Sequence, residues 1–371
     1  MKTEHEKYMR RALELAANAR GRTSPNPMVG AVLIRDGEIV GEGWHHGPGL
    51  PHAEVEALRA AGAAAHGATL YVNLEPCSHF GRTPPCAPAV AEAGIEKVVC
   101  GMTDPNPVVS GRGFDILREG GVEVVEGVLE AECRALNAGF IKAMTKGLPY
   151  VLLKSAMTLD GKTATYTGDS RWISSAESRE MVHRLRGEYD AVIVGGNTLL
   201  KDDPSLTSRV PEDVKIKDPL RVGFDEWLSI STDSNFVKLA SDGKTLLVAV
   251  ESAPISSEAE LTKLGCRIVR VPAGPDGMPD PTEALKKIVE AGAHYVMIEG
   301  GGTLNYSFVQ AGLVDRVMIF IAPKLTGGRD AITFLEGAGF PLISDGVELG
   351  PMQVRFHGPD IVVEADVLRK G

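Results

Sequence analysis

The chain has 371 residues, of which 43% are hydrophobic and 24% are charged, the proportions of an ordinary globular protein. This length exceeds the usual size of one hydrophobic core, so we expect two domains. The net charge is −10 and neither half of the chain has a basic surplus, which argues against a nucleic-acid partner and favours a small-molecule substrate.

The first part of the chain predicts a helix, a hairpin and then alternating helices and strands. Apolar residues at helical spacing predict a helix over 4–20 that ends at Gly21. The turn signal Arg35-Asp36-Gly37 predicts the hairpin. The predicted strands are 29–34, 38–42, 68–74, 98–101 and 122–126, and the further helices are 52–61, 84–93 and 114–118. This order predicts a mixed sheet with helices on both faces.

A second alternation follows a predicted connecting helix over 130–146 and a break at Gly147-Leu148-Pro149. We therefore expect domains at 1–146 and 147–371. The predicted strands of the second domain are 150–157, 191–195, 220–224, 245–250, 267–271, 295–299, 317–322 and 361–367, and its helices are 176–186, 281–291 and 304–311. Together these elements predict a second α/β domain.

Three features favour a cytoplasmic protein. Residues 1–7 include acids and lack an apolar core, so they do not form a secretory signal. No uninterrupted apolar stretch is long enough to span a bilayer, so we expect no membrane partner. The five cysteines are sparse and odd in number, which favours a reducing compartment and metal binding over a disulfide framework.

The most specific motif is His52-Ala53-Glu54, followed by Glu75-Pro76-Cys77 and then by Cys86. In zinc deaminases of nucleobases, a histidine and two cysteines hold the metal, while a glutamate that is not a ligand moves protons. Three protein ligands leave the fourth tetrahedral position to a water whose pKa zinc lowers to about 7. We therefore predict His52, Cys77 and Cys86 as zinc ligands and Glu54 as a catalytic residue.

Two alternatives qualify this motif. A closed structural zinc site with His79 as the fourth ligand would leave Glu54 without a task. The general nucleic-acid deaminase pattern is Pro-Cys-x-x-Cys, whereas eight residues separate Cys77 from Cys86, so that class fits poorly.

Two glycine-rich segments follow predicted strands in the second domain. Glu299-Gly300-Gly301-Gly302-Thr303 precedes a helix whose first N–H groups could bind a pyrophosphate. Val194-Gly195-Gly196-Asn197-Thr198 is a second such loop, and the pair is compatible with a dinucleotide that lies across strand ends. Neither is the Gly-x-Gly-x-x-Gly fingerprint, so a Rossmann fold is not supported, and a tight turn is the alternative for each loop alone.

The segment from Cys77 to Cys86, with Pro25-Asn26-Pro27 before it and Asp104-Pro105-Asn106-Pro107 after it, resembles the deaminase domain of the bifunctional riboflavin-biosynthesis deaminase–reductases. The resemblance continues through Lys154-Ser155-Ala156-Met157, Ser170-Arg171-Trp172-Ile173, Asp202-Asp203-Pro204 and Glu299-Gly300-Gly301-Gly302. It covers nearly the whole chain and is weak only over about 211–280. It implies a cytidine-deaminase-like three-layer domain followed by a dihydrofolate-reductase-like α/β domain.

The resemblance also implies roles for individual residues. The implied substrate contacts of the first domain are Asn26, His79, Arg82, Asp104 and Asn106, with turn formation as the alternative for the residues beside prolines. The implied substrate contacts of the second domain are Ser170, Arg186, Leu206, Arg209 and Glu299. The implied NADPH contacts are Ala156, Trp172, Thr198, Asp202, Gly301, Gly302, Thr303, Leu304, Asn305, Tyr306 and Ser307. Lys154 would be catalytic by holding or polarising the sugar, or would be an ion-pair residue of its strand.

The implied function is a pair of steps in riboflavin synthesis. The first is zinc-dependent hydrolytic deamination of 2,5-diamino-6-(5-phosphoribosylamino)pyrimidin-4(3H)-one to 5-amino-6-(5-phosphoribosylamino)uracil. The second is NADPH-dependent reduction of the ribosyl group to ribityl, in a chain that we expect to form a homo-oligomer. The alternatives are a nucleoside or tRNA deaminase, a nucleotide-sensing protein with structural zinc, and a deaminase whose second domain is inactive.

Overall fold

The computed structural model of the chain describes residues 2–107, 109–210 and 217–368, so the start of the predicted region of weak resemblance, 211–216, lies outside it. The chain divides into two compact units, Met1–Gly147 and Leu148–Gly371. Within the described residues, none of the helices combines the length and apolar character needed to cross a membrane.

The first unit is a five-stranded sheet with helices on both faces. Its helices are α1 Lys2–Ala17, α2 Ala53–Ala61, α3 Cys86–Glu92, α4 Arg112–Glu119, α5 Glu130–Leu136 and α6 Ala138–Lys146, with a 3₁₀ turn at Gly62–Ala65. Its strands are β1 Gly30–Arg35, β2 Glu38–Trp44, β3 Thr69–Val72, β4 Lys97–Cys100 and β5 Glu123–Val125. The strand order is β2-β1-β3-β4-β5, with β1 antiparallel to β2 and β3, and β3, β4 and β5 parallel.

Glycines let the two helix layers approach the sheet closely. A Cβ on Gly30 would lie 2.1 Å from the carbonyl oxygen of Ala12 in α1, whereas a Cβ on Gly43 would lie 2.4 Å from that of Ala53 in α2. Gly43 pairs with Ala31, the neighbour of Gly30, so the two glycines face opposite sides of the sheet. The predicted mixed sheet with helices on both faces is therefore confirmed, and α2 is held against β2 at its first residue.

The predicted single helix over 130–146 is wrong, because the chain breaks at Asn137 between α5 and α6. The Asn137 amide accepts a hydrogen bond from the Met28 N–H (2.8 Å) and donates one to the Met28 carbonyl (2.9 Å). Its side chain is fully buried. The break places Asn137 in contact with Met28, which lies 109 residues earlier in the sequence, and no local sequence pattern predicts such a contact.

Replacing Asn137 with alanine is expected to destabilise the first unit by about 2 kcal/mol, since the buried N–H and carbonyl of Met28 lose these partners. Urea denaturation would measure the loss. Asn18→Ala, in the turn after α1, is the control, and an equal loss in both variants would contradict the assigned role of Asn137.

The second unit is a nine-stranded sheet with a hydrophobic cluster on each face. Its strands are β6 Tyr150–Thr158, β7 Ala191–Gly195, β8 Leu220–Phe224, β9 Thr245–Val250, β10 Arg267–Val271, β11 Tyr295–Ile298, β12 Arg316–Ala322, β13 Gln353–His357 and β14 Asp360–Asp366. Its helices are α7 Ala176–Glu188, α8 Gly196–Asp202, α9 Asn235–Lys238, α10 Ile255–Lys263, α11 Pro281–Glu290 and α12 Gly302–Gln310, with 3₁₀ turns at Leu239–Asp242 and Ile343–Asp345.

The strand order is β10-β9-β8-β7-β11-β6-β12-β14-β13, parallel from β10 to β12 and antiparallel at β14 and β13. The predicted second α/β domain is confirmed. The prediction missed α8, α9, α10 and β13. Gly196 and Asn197, both poor helix formers, begin α8, so the segment predicted as a glycine loop is partly helical. The carboxyl ends of β6, β7, β8 and β11 share one edge of the sheet.

Candidate active sites

The three predicted zinc ligands come together in the first unit. His52 precedes α2, Cys77 follows β3, and Cys86 is the first residue of α3. His52 Nδ1 lies 3.5 Å from the Cys77 Sγ and 3.2 Å from the Cys86 Sγ, and all three ligand atoms lie within 4.8 Å of one another. Zn–N and Zn–S bonds of about 2.0 and 2.3 Å fit a tetrahedral ion into such a triangle.

The chemistry of the donor set also fits zinc. The hydrogen bond with the Cys86 thiol, together with those from His52 and the Cys86 N–H, lowers the pKa of Cys77 to about 4 against the opposing effect of burial. A thiolate is the form that binds a metal. Among the described residues, His79 lies outside this ligand cluster, so the structure gives no support to the closed four-ligand alternative.

Glu54 lies beside the cluster without belonging to it. Its side chain is only 3% exposed, and burial raises its pKa to about 7. Its Oε2 atom has no hydrogen-bond partner among the described residues. A buried carboxyl group with a pKa near neutrality can accept and donate a proton in turn.

A cavity of about 370 Å³, the zinc-side cavity, opens next to these residues. The predicted substrate contacts of the first domain all line it: Asn26, His79, Arg82, Asp104 and Asn106. Burial raises the pKa of Asp104 to about 6. The structure thus gathers these residues from three separate segments around one cavity.

His45 lines the same cavity and was missed by the sequence analysis. Its Nδ1 contacts the Pro51 carbonyl at 3.1 Å, so this nitrogen carries a hydrogen. Burial lowers the pKa of His45, which favours the neutral ring with Nε2 as an acceptor. The Asn26 amide nitrogen, 2.9 Å away, then donates to Nε2 and directs its own carbonyl oxygen elsewhere. His45 therefore fixes the orientation of a predicted substrate contact.

Glu75 organises the loop that carries Asp104. Its carboxylate accepts hydrogen bonds from the backbone N–H groups of Asp104, Gly111 and Gly113, at 2.9, 3.0 and 2.8 Å. The side chain is 4% exposed. Its place in the Glu75-Pro76-Cys77 motif connects this loop to a zinc ligand.

Thr83 is a further contact that the sequence analysis missed. Its hydroxyl lies 3.1 Å from His52 Nε2, the nitrogen that points away from the cysteines. A histidine that binds metal through Nδ1 carries its hydrogen on Nε2, so the ring donates to Thr83. Such contacts orient a ligand ring and raise its basicity.

Replacing Thr83 with valine is expected to weaken zinc binding about 10- to 100-fold, because His52 loses this acceptor. Competition with a chromophoric chelator would measure the dissociation constant. Thr83→Ser keeps the hydroxyl and should bind zinc like the wild type. Equal affinities in all three proteins would contradict the assigned role.

In the second unit, an ion cluster lies where β6 and β11 meet α7. Arg186 makes a two-pronged contact with Glu299, at 2.7 and 3.1 Å, and the Lys154 Nζ lies 3.5 Å from the same carboxylate. Burial opposes ionisation of Glu299, but the charges of Arg186 and Lys154 outweigh it and lower its pKa to about 2. Lys154 therefore forms an ion pair with Glu299, as expected for the alternative in which it is an ion-pair residue of its strand.

A cavity of about 890 Å³ lies over this cluster and is called here the Lys154 cavity. The predicted residues that line it are Lys154, Ala156, Ser170, Trp172, Arg186, Asp202, Leu206, Arg209 and Glu299. All predicted substrate contacts of the second domain are thus in one place. Ala156 and Trp172, predicted as cofactor contacts, line this cavity as well.

A neighbouring cavity of about 370 Å³, the glycine cavity, lies over the ends of β8, β7 and β11. The predicted cofactor contacts that line it are Thr198, Asp202, Gly301, Gly302, Thr303, Leu304 and Ser307. It shares Ser170, Lys201, Asp202 and Glu299 with the Lys154 cavity. The first N–H groups of α12 have no partner within the helix, and Gly301 has no Cβ to cover them. This cradle fits a dinucleotide pyrophosphate.

Two predicted cofactor contacts lie elsewhere. Asn305 is fully buried and donates to the Phe334 carbonyl, and the Tyr306 hydroxyl donates to the Gly339 carbonyl. Neither lines the glycine cavity. They lie between Leu304 and Ser307, which do line it, because one face of α12 meets the cavity while the other packs against the rest of the second unit.

Comparisons with known proteins follow the same division. The profile of the cytidine and deoxycytidylate deaminase zinc-binding region matches residues 2–102, and that of the RibD C-terminal domain matches residues 149–363. The riboflavin biosynthesis protein RibD of Actinobacillus pleuropneumoniae is 42% identical over 361 residues, covering 97% of this chain and 95% of the relative. The chain belongs to the RibD family. The Escherichia coli RibD protein is 39% identical, with 96% and 98% coverage.

Solved structures agree with this membership. Acinetobacter baumannii RibD, form 1, matches with a TM-score of 0.89 at 35% identity and full coverage of both chains. A Thermotoga maritima diaminohydroxyphosphoribosylaminopyrimidine deaminase/5-amino-6-(5-phosphoribosylamino)uracil reductase matches with a TM-score of 0.82 at 34% identity, over 99% of each chain.

As a RibD family member, the chain is a bifunctional enzyme of riboflavin biosynthesis. It joins a zinc-binding deaminase with the cytidine-deaminase-like fold to a reductase of the dihydrofolate-reductase-like type that uses NADPH. The predicted family, fold types, enzyme class and cofactors are confirmed.

Proposed function

We propose that residues 1–146 deaminate 2,5-diamino-6-(5-phosphoribosylamino)pyrimidin-4(3H)-one and that residues 147–371 reduce the ribosyl group of the product to ribityl. The observation that carries this proposal is the His52, Cys77 and Cys86 triangle beside the unpartnered oxygen of Glu54. Family membership supports the choice of substrate, since the Thermotoga maritima relative is named for these two reactions.

The deaminase step rests on proton transfer by Glu54. Zinc, when bound to His52, Cys77 and Cys86, supplies the Lewis acidity that makes a water nucleophilic at neutral pH. Glu54 takes the proton of the attacking water and delivers it to the departing amino group, which leaves as ammonia. A pKa of about 7 suits both transfers.

The other residues of the zinc-side cavity position the substrate. Arg82 is exposed and lies in a loop with His79, where its guanidinium can bind the ribose phosphate through paired hydrogen bonds. The carbonyl oxygen of Asn26, directed by His45, accepts a hydrogen bond from the pyrimidine. Asp104 and Asn106 close the same space.

The reductase step rests on placement of two ligands in adjoining cavities. The product occupies the Lys154 cavity, where Lys154 contacts the ribosyl oxygen, and the exposed Arg209 binds the phosphate. Arg186 is committed to Glu299, so it orients that carboxylate rather than the phosphate. The dinucleotide occupies the glycine cavity. The two cavities meet at the residues that they share, so the nicotinamide ring lies next to the ribosyl group there, and this proximity allows hydride transfer.

Ammonia release and NADPH oxidation by the full chain would test the proposal. With the diaminopyrimidine, both signals are expected, in that order. Removal of zinc by a chelator should abolish ammonia release, while NADPH oxidation with the aminouracil intermediate continues. Loss of both activities together with the fold would favour structural zinc, and absence of NADPH oxidation would favour an inactive second domain.

We also propose that the chain forms a homo-oligomer through β13, the edge strand of the large sheet. Val354 and Phe356 on this strand are 61% and 77% exposed, and an edge strand offers unpaired backbone groups. A second copy could pair with this edge. Sedimentation of the wild type and of Val354→Lys would test this, since a monomeric wild type would contradict it.

A cytoplasmic location belongs to the same proposal. All five cysteines carry free thiols, as expected in a reducing compartment. Fractionation of cells that express the protein would test the location.

A further inference from the structure

The glycine cavity has two distinguishable ends. It crosses the carboxyl ends of β8, β7 and β11, which are adjacent in the sheet. Residues Ser170, Lys201, Asp202 and Glu299 line both this cavity and the Lys154 cavity. Hydride transfer requires the nicotinamide ring next to the substrate, so the ring lies at this shared end. The adenosine half of the dinucleotide therefore lies at the opposite end, over β8.

Two acidic residues, Asp225 and Glu226, follow β8 at that end. Asp225 is 2% exposed, and its two oxygens accept hydrogen bonds from the Ser229 hydroxyl (3.0 Å) and the Ile230 N–H (2.8 Å). Asp225 is thus occupied in holding its own loop. Glu226 is half-buried and lines the cavity. Its backbone carbonyl accepts a hydrogen bond from the Val250 N–H, but its carboxylate has no hydrogen bond or ion pair with any residue that the structure describes.

The Glu226 carboxylate is directed at the start of α8. One of its oxygens lies 3.6 Å from the place that a Cβ on Gly196 would occupy, close to the backbone that would meet the dinucleotide. Positive charge is scarce here. Among the described residues that line the glycine cavity, Lys201 is the only lysine or arginine, and it also lines the Lys154 cavity. It therefore belongs to the nicotinamide end.

This charge distribution affects which group is tolerated at the 2′ position of the adenosine ribose. NADPH has a phosphate there and NADH has a hydroxyl, and this is the only difference between them. In Rossmann dinucleotide sites, an acidic side chain accepts hydrogen bonds from the adenosine ribose hydroxyls, whereas an arginine accommodates the 2′-phosphate. The same chemistry applies to any side chain that faces this ribose. We propose that Glu226 binds the adenosine ribose and thereby lets this reductase accept NADH as well as NADPH. The inference rests on the proposed placement of the dinucleotide in the glycine cavity.

Calorimetric titration of the zinc-loaded full chain with ADP and with 2′,5′-ADP would test it without catalysis. We expect the wild type to bind 2′,5′-ADP no more tightly than ADP. Glu226→Gln should bind 2′,5′-ADP about tenfold more tightly than the wild type, because a like charge is removed, and should change ADP binding much less. Glu226→Ser should shift in the same direction, and KM values for NADH and NADPH should follow the binding constants.

Glu251→Gln is the matched control, since Glu251 lies just after β9, the strand next to β8, but does not line the glycine cavity. It should leave both affinities unchanged. Two results would overturn this inference while leaving the placement of the dinucleotide intact. One is a wild type that prefers 2′,5′-ADP over ADP more than tenfold, and the other is unchanged affinities in Glu226 variants whose thermal unfolding is also unchanged. If the wild type bound neither nucleotide, the placement of the dinucleotide would fall, and this inference with it.

Discussion

Replacing Glu54 with glutamine should lower the rate of ammonia release about 10²- to 10⁴-fold and leave zinc bound. Glutamine has nearly the same shape but cannot take a proton from water or deliver one to the leaving amino group. Because Glu54 lies outside the ligand cluster, the His52, Cys77 and Cys86 triangle should be unaffected. The measurement is a steady-state assay of ammonia release, with zinc determined by mass spectrometry on the same samples.

The two activities give this variant an internal control. NADPH oxidation with the aminouracil intermediate should be unchanged in Glu54→Gln, since Glu54 belongs to the first unit. A glutamine variant that kept its deaminase rate would show that another group moves the protons. Loss of zinc along with activity would show that Glu54 helps to hold the metal.

Replacing Glu299 with glutamine should destabilise the second unit by about 3 kcal/mol, because it leaves the Arg186 and Lys154 cations buried without a counter-ion. The three side chains are 8%, 14% and 13% exposed, so water cannot replace the lost charge fully. NADPH oxidation should fall as well, since Glu299 lines both cavities of this unit. Urea denaturation would give the free energy of unfolding.

The pH dependence of stability gives a second readout for Glu299. Its folded pKa is about 2, below the ordinary value of 4.5, so its contribution to stability is fully present above pH 4.5. That contribution is lost as the pH falls from about 4.5 toward 2. The wild type should show this loss, and Glu299→Gln should lack that part of it.

A more exposed ion pair provides the contrast. Glu258 pairs with Arg270 and is 35% exposed. Glu258→Gln should cost no more than about 1 kcal/mol, as solvated pairs usually do. Equal losses for Glu258→Gln and Glu299→Gln would contradict the view that burial of the Glu299 cluster makes it costly to disrupt.

The zinc site could be predicted because its chemistry depends on residue types that are close in sequence. His52 and Glu54 flank one residue, and the cysteines follow a strand and begin a helix, so order and spacing carried the signal. The glycine segments were found for a similar reason, since they directly follow strands. The α/β class of both domains could be predicted from the alternation of helices and strands.

Contacts between distant segments could not be predicted. Thr83 contacts His52 across 31 residues, and Asn137 contacts Met28 across 109. Neither has a local pattern that marks it. Arg186, an implied substrate contact, pairs with Glu299, which lies 113 residues away, and no local pattern predicts that pairing. Edge strand β13 was missed because most of it is exposed and lacks the buried alternation that marks a strand.

Isotope labelling of the product most directly tests the claim that one chain carries out both reactions. The full chain would be incubated with the diaminopyrimidine in H₂¹⁸O, with NADPH deuterated at the nicotinamide carbon that donates the hydride, and the product analysed by mass spectrometry. Hydrolytic deamination followed by hydride transfer predicts one ¹⁸O on the pyrimidine ring and one deuterium on the ribityl chain. A product lacking either label would contradict the account.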